Sequence, residues 1–174
     1  MIRGQKVVLR EKKLEDAAND YAWGCDSELA RLDATQPLKV SYSDYLVGYA
    51  DELRYQSPRR RQLAIDTLDG RHIGNCMYYD IDQRRGEAEL GIMIGDRDYW
   101  DKGYGSDAVT TLLNHIFETT RLERIYLKTL EWNVRAQKCF EKCGFVPCGR
   151  TSRGRQDFIL MEIRRSWLEK EKGG

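Results

Sequence analysis

The stretch "DYWDKGYGSDAVTTLLNHIF", Asp98 to Phe117, decides how the chain is read. It sets Gly103, Gly105 and Ala108 in the spacing G-x-G-x-x-A at the head of a helical pattern. Ala108, Val109, Leu112, Leu113, Ile116 and Phe117 then recur at helical spacing. Glycines at a helix start let backbone come close to an anion. The free N–H groups of the first turn and the helix dipole both favour negative charge there. The stretch reads as a phosphate-holding loop, and its surroundings decide whose phosphate it holds.

Working outward, "QKVVLREK" opens as a strand. "KLEDAANDYAWGC" and "SYSDYLVGYADELRY" read as two short helices, the second with Ser43 as its N-cap. In "RQLAIDTLDGRHIGNCMYYDI", Asp69-Gly70 joins two strand-like runs as a two-residue hairpin. "DQRRG" turns the chain again into "EAELGIMIG", so the middle is an antiparallel meander. After the long helix, "RIYLKTL" is a strand and "NVRAQKCFEKCGF" a helix, with Asn133 as N-cap and Gly144 as its left-handed stop. "RQDFILMEI" is a late strand and "EKEKGG" a solvated tail. The order β-α-α-β-β-β-α-β-α-β-β is α+β, with one crossover unit after the meander.

The 174 residues suit one domain, 1–174, with a substantial core. Charged residues are 33% and hydrophobic ones 41%, and 29 basic against 28 acidic residues leave a net charge of +1. That balance gives no electrostatic argument for nucleic acid or an anionic membrane. No apolar run reaches spanning length, and "MIRGQKVVLREKK" lacks a signal peptide's apolar core. The expected location is the cytoplasm. Five cysteines, an odd count without a signal peptide, argue against a disulfide framework and read as small buried thiols. Cys139 and Cys143 share a helix face, but no C-x-x-C and no nearby histidine makes a zinc site.

Three functional readings of the loop compete with a plain structural turn. A P-loop needs Gly followed by Lys and Ser/Thr, whereas Ser106 and Asp107 follow Gly105. A dinucleotide fingerprint sits at a tight turn directly after a strand. Here Asp96 to Lys102 intervene, and only one βαβ unit remains. In the third reading a coenzyme pyrophosphate lies across the loop and the helix N-terminus, facing the N–H groups of Lys102 to Ser106.

The segment "ELGIMIGDRDYWDKGYGSDAVTTLLNHIF" followed by "LERIYLKTLEWNVRAQKCFEKCGF" resembles the GNAT superfamily of acyl-CoA-dependent N-acetyltransferases. Two signatures carry the resemblance. One is strand, "GYG", long helix; the other is Asn133-x-x-Ala136-x-x-x-Phe140-Glu141-Lys142-x-Gly144-Phe145. It covers most of the chain and is strongest from Glu87 to Gly149. It looks most like the branch that acetylates N-termini of ribosomal proteins, with polyamine and aminoglycoside acetyltransferases close by. The resemblance implies a mixed, mostly antiparallel sheet with helices on both faces. The fourth and fifth strands as counted here, "EAELGIMIG" and "RIYLKTL", would splay apart.

It also implies acetyl-CoA as cosubstrate and no metal. Ile92, Met93 and Ile94 would offer backbone to the pantetheine arm. Asp101, Lys102, Gly103, Tyr104, Gly105 and Ser106 would cradle the pyrophosphate. Asn133 would hydrogen-bond the arm, and Phe140 would pack against it. The acceptor would be a small primary amine or a protein N-terminus. Exposed sheet edges suit a homodimer, although no motif shows one. Two positions depart from the family. Trp100 stands where Gln or Arg is frequent, and Phe140 where many members carry a tyrosine that protonates the departing thiolate. Tyr104 and Tyr126 are alternative donors.

Acetyl transfer needs the amine's proton removed. Glu89, with Glu87 behind it on the same strand face, is the expected acceptor, against the plain role of a cross-strand ion-pair partner. Asp80 and Asp82 either attract a cationic amine or border a turn. Of Tyr78 and Tyr79, at most one lines the cleft. Arg59, Arg60 and Arg61 read as a solvated loop in preference to a contact with an acidic partner or the coenzyme's 3′-phosphate. His72 and His115 read as structural. Tyr42, Tyr45, Tyr49 and Tyr55 either shape the acceptor pocket or pack. A non-catalytic acyl-CoA-binding module and nicotinamide-dependent redox chemistry are the rival functions.

Overall fold

The computed structural model describes residues 1–173. The strands are β1 (Ile2–Arg3), β2 (Val7–Glu11), β3 (Arg60–Thr67), β4 (His72–Asp82), β5 (Glu87–Ile94), β6 (Arg124–Leu130), β7 (Val146–Arg153) and β8 (Gln156–Arg164). The helices are α1 (Ala17–Cys25), α2 (Ser27–Leu32), α3 (Tyr42–Arg54), α4 (Tyr104–Thr119), α5 (Val134–Lys142) and α6 (Arg165–Lys172). All the strands join one sheet in the order β1-β2-β3-β4-β5-β6-β8-β7. Every neighbouring pair is antiparallel except β5 and β6.

The alternation of strand side chains divides the sheet into two working faces. Gly74, Cys76 and Tyr78 of β4 pair with Ile94, Ile92 and Leu90 of β5. The side chains of Cys76, Tyr78, Leu90, Ile92 and Ile94 meet the apolar stripe of α4, whose Ala108, Val109, Leu112 and Ile116 are fully buried. On the opposite face Asn75, Met77 and Tyr79 oppose Met93, Gly91 and Glu89. There α1 and α3 pack through Asp20 and Tyr49, which Asn75 and Lys12 reach from the sheet. That second face is held by charge. Arg10 bridges Asp16 at 2.8 Å and Asp66 at 2.7 Å, and Lys12 meets Asp20 at 2.6 Å. His72 sits inside this network, with Asn75 at 3.0 Å and Asp16 at 3.5 Å.

Several local expectations need correction. The opening strand is two, β1 and β2, joined by a turn in which Gly4 N–H donates to the Val7 carbonyl and a Cβ at Gly4 would clash with Thr111 and Asp107. The first helical stretch begins as a 3-10 turn at Leu14–Asp16 before α1, and α2 was not foreseen. Ser41, not Ser43, caps α3 by accepting from the Asp44 N–H at 3.2 Å. The β3–β4 loop has four residues, Leu68 to Arg71, not two. Gly70 N–H donates to the Thr67 carbonyl, and Thr67 N–H to that of Arg71. Only Gly70 has positive φ there, where a two-residue type I′ turn needs two such residues. The expected tail is helical as far as Lys172; Trp167 and Leu168 anchor α6 on the core, and Gly174 lies outside the described residues. Of the cysteines only Cys76 is buried, while Cys25 and Cys148 are exposed.

Candidate active site

The sheet opens at its parallel seam. Strands β5 and β6 pair only from Glu87 to Glu89 against Arg124 to Tyr126, and then diverge. With the split N-terminal strand counted, they are the fourth and fifth strands expected to splay. On its other side β5 stays paired with β4 as far as Ile94. Gly95 N–H donates to the Ile73 carbonyl, which fixes the phase of that ladder. Odd-numbered β5 residues therefore turn their backbone groups towards β4, and Leu90, Ile92 and Ile94 turn theirs towards the gap. The Ile94 carbonyl is taken by the Trp100 indole N–H at 2.8 Å. The Leu90 carbonyl and both backbone groups of Ile92 lie beyond the last β5–β6 pair and face the fork with no strand opposite.

At the open end of the fork stands the N-terminus of α4. Gly103 is its N-cap at φ +85°, a left-handed conformation that costs other residues about 1–2 kcal/mol. The first-turn N–H groups of Tyr104, Gly105 and Ser106 have no partner within the helix, whose first closing bond runs from Asp107 N–H to the Gly103 carbonyl. The one acidic side chain of that turn is directed elsewhere. The Asp107 carboxylate accepts N–H bonds from Gln5, Lys6 and Val7. The anion-attracting end of α4 is thus left to the cleft.

Other loop residues divide between the cleft and its support. Asp101, Gly103, Gly105 and Ser106 line the cleft. The Lys102 ammonium bonds back to the Asp98 carbonyl at 2.6 Å, and its own carbonyl receives Lys6 Nζ at 2.8 Å. Tyr104 packs edge-on against Tyr99 with Lys6 over its ring. Trp100 is flanked by Arg97 and by Arg135, whose guanidinium lies 4.5 Å from the ring centre. Arg135 also pairs with Asp101 at 3.4 Å.

Helix α5 forms the opposite bank. Asn133 caps it, accepting from Ala136 N–H at 3.2 Å, and Gly144 follows at φ +101°. Asn133 and Phe140 both line the cleft, and Phe140 packs edge-on to Phe145 at 5.9 Å between ring centres. Arg135, Lys138 and Lys142 give this bank positive charge. Cys139 Sγ lies 3.3 Å from Ser106 Oγ, and Cys143 Sγ meets the Ser106 carbonyl at 3.6 Å, tying α5 to the loop. A hydrogen bond from Cys143 lowers the Cys139 thiol's pKa; burial opposes it and Ser106 assists.

Through the fork, on the α1–α3 side, lies an acidic and phenolic wall. Glu89 is 6% exposed, opposite Tyr79 on β4 and Tyr126 on β6. Burial first, then the Glu89 carboxylate, pushes the hydroxyls of both tyrosines above their ordinary pKa. Lys128 Nζ stands 3.8 Å from Glu89 Oε2. Asp80 has φ +49° beside an irregularity in the β4–β5 register, which re-aims its side chain into the cleft. Asp20 and Tyr45 complete the wall. The whole cleft is roughly 1610 Å³, larger than the ~300–1,000 Å³ of a single small-molecule site.

The remaining sequence candidates fall elsewhere. Glu87 lies below the fork, 3.1 Å from Arg124, which also pairs with Glu162; it does not line the cleft. Asp82 accepts from the N–H groups of Arg84 and Arg85 and caps their turn. Tyr78 belongs to the core and Tyr79 to the cleft. Among the early tyrosines only Tyr45 reaches the cleft; Tyr49 bonds Asp20, Tyr42 stacks on Tyr21, and Tyr55 is exposed. Arg60 and Arg61 pair with Glu52 and Glu11 beside a smaller cavity under α3. Sequence reading missed Arg135, Lys138 and Lys128, whose roles arise only where α5 and β6 come to flank the fork.

A sheet forked at its single parallel seam, with a bare helix N-terminus at one end and a carboxylate wall at the other, is the architecture of an acyl-transferring enzyme. The chain belongs to the family described as Acetyltransferase (GNAT) domain, which it matches over residues 6–146. It is 29% identical to the uncharacterized N-acetyltransferase p20 of Bacillus licheniformis, over 98% of this chain and 97% of that one. It is 32% identical to the probable spermine N(1)-acetyltransferase of Bacillus subtilis subsp. natto, over 55% of this chain and 66% of that one. In fold it is similar to spermidine N-acetyltransferase from Vibrio cholerae, solved with CoA and spermine. There the TM-score is 0.81 and identity 22%, over 92% of this chain and 96% of that one. Two of these three are polyamine acetyltransferases by name, and none is named for the ribosomal-protein branch.

Proposed function

We propose that this N-acetyltransferase moves an acetyl group from acetyl-CoA to a primary amine by direct attack in a ternary complex, and that the acceptor is a small cationic amine. The observation that carries this reading is the fork itself: one continuous cleft with a positive bank at α4 and α5 and a carboxylate wall at Glu89, Asp80 and Asp20. The donor set fits a coenzyme thioester. Three unpaired first-turn amides and Arg135 suit a diphosphate, and the unpaired β5 groups of Leu90 and Ile92 suit an extended amide-bearing arm. When bound, acetyl-CoA supplies an activated acyl carbon on a thiol leaving group.

The chain's own residues then have distinct tasks. Amides from Gly103 to Ser106 hold the diphosphate and fix the register of the arm. Asn133 and Phe140 hold the arm from the α5 side. Backbone N–H of the β5 edge faces the carbonyl oxygen as negative charge grows there. Glu89, level with the fork's apex, accepts the proton that the amine must lose, directly or through water. Holding both partners in one cleft supplies much of the acceleration. Phe140 gives no proton, and Tyr104 is turned into the core. A thiol of pKa about 8.5 departs as thiolate without a donor.

A negative wall beside a cleft of this size favours a polycation such as spermidine over a neutral amine. A ribosomal N-terminus, favoured by the sequence resemblance, is the competing acceptor. The free thiols suit a cytoplasmic setting. The β7 edge, exposed along most of its length, suits pairing with a second copy. Thiol release from acetyl-CoA with spermidine, spermine, aminoglycosides and ribosomal peptides tests the reading. Polyamine-dependent release is expected. Coenzyme binding without release on any amine would make the protein a binding module instead.

A further inference from the structure

We propose that Lys128 is an acetylation site of the chain itself, an internal acceptor that presents its amine to Glu89 across the fork. The inference rests on the proposed function and concerns a residue that function does not require. Lys128 lies two positions beyond Tyr126, the last β6 residue paired with β5. Strand alternation gives it the same face as Tyr126, the acceptor side of the cleft. Its side chain is 44% exposed, yet it reaches back so that Nζ is 3.8 Å from the Glu89 carboxylate, whose side chain is only 8% exposed. That separation is an ion pair without a direct hydrogen bond, so the ammonium is held near the base while free to move.

Other amines are placed differently. Lys12 is committed to Asp20 and Asn75, Lys6 to the Lys102 carbonyl, and Lys102 to the Asp98 carbonyl. Lys138 and Lys142 line the cleft from the α5 bank. Among the described residues, Lys128 is the one cleft lysine with a carboxylate within 4.0 Å. An ammonium beside the proton acceptor, in the passage where the thioester would end, is the arrangement an external amine must reach.

The step balances without a further reagent. Glu89 takes one proton from the Lys128 ammonium, the nitrogen lone pair attacks the thioester carbonyl carbon, and the nitrogen then sheds a second proton to water. A C–N bond forms and the C–S bond breaks. The electron pair leaves on sulfur, and the thiolate is protonated from water. The lysine becomes a neutral amide, and one proton is released overall. Glu89 thereby loses the chain's own cation and faces the cleft alone.

The test incubates the full chain with acetyl-CoA carrying a deuterated acetyl group and follows the label by peptide mass spectrometry. Lys128 should acquire it at least about tenfold faster than the exposed Lys39, at a rate constant independent of protein concentration. Glu89→Gln should slow labelling of Lys128 by about 10²-fold while leaving Lys39 unchanged. Lys128→Arg, which keeps the charge, should remove the label from that peptide. The idea is overturned if Lys128 labels no faster than Lys39, or if Glu89→Gln leaves its rate unaltered. Thiol release with spermidine is measured on the same samples. Turnover with Lys128 unlabelled sinks this inference and leaves the enzyme reading standing; neither turnover nor label sinks both.

Discussion

Replacing Gly105 by alanine separates folding from coenzyme binding at one atom. Gly105 is the second residue of α4 and lines the cleft. A Cβ built there stands 3.8 Å from Ile94 Cγ1 and 4.0 Å from Cys139 Sγ, both ordinary contacts. The protein accommodates the methyl, and alanine is favoured over glycine in a helix by up to about 1 kcal/mol. Stability should stay the same or rise by up to roughly 1 kcal/mol. In the proposed binding mode the same methyl would stand between the diphosphate and the amides of the first turn. A hydrogen bond to a charged group contributes about 1.5–3 kcal/mol, and about 1.4 kcal/mol is tenfold in affinity. Loss of one such bond weakens coenzyme A by at least about tenfold, and loss of two by about a thousandfold. Titration calorimetry with coenzyme A, beside urea unfolding, reads both quantities. An affinity within about twofold of the parent, in a variant of unchanged stability, would refute the reasoning.

Glu89→Gln, an isosteric change at a 6% exposed position, should lower kcat by about 10²–10⁴-fold and flatten the acid limb of the pH–rate profile, with KM for acetyl-CoA unchanged; a steady-state series across pH checks it. Trp100→Phe removes the indole bond to the Ile94 carbonyl and should cost about 1 kcal/mol in stability and raise KM for acetyl-CoA, read by urea unfolding and initial rates. Burial opposes ionisation of Asp16, but Arg10 and the Lys13 N–H overcome it and hold its pKa at about 2 against an ordinary 3.8. The folded value is the lower one, so this stabilisation is complete above pH about 4 and disappears as pH falls towards 2. Asp16→Asn should therefore cost about 2 kcal/mol at neutral pH, and chemical denaturation at pH 7 and at pH 2.5 should show the difference shrinking.

The legible parts of this protein were local ones. The α4 stripe, the Gly103 and Gly105 loop and the Asn133 cap are each set by residues a few positions apart, so spacing alone exposes them. Helix α2 has six residues, too few for periodicity to rise above its surroundings. Helix α6 owes its place to Trp167 and Leu168 meeting the core, while its last turn is all charge. Ser41 and Ser43 are equivalent letters, and only backbone geometry chooses between them. In the site, Asp107 directly follows the loop in sequence. Its three bonds to a turn about a hundred residues away show that it secures β1 and β2 instead. Glu87 and Glu89 share a strand face, yet Arg124 occupies one and Lys128 approaches the other. That distinction depends on where β6 stops pairing with β5, which sequence does not reveal.

The central claim is that coenzyme lies along the gap between β5 and β6. A crystal structure of the chain with acetyl-CoA tests it most directly. Diphosphate oxygens should accept from N–H groups between Gly103 and Ser106, and the arm's amides should pair with Leu90 and Ile92 backbone. A diphosphate bound elsewhere, or a thioester remote from Glu89 with the fork filled only by solvent, would contradict the account.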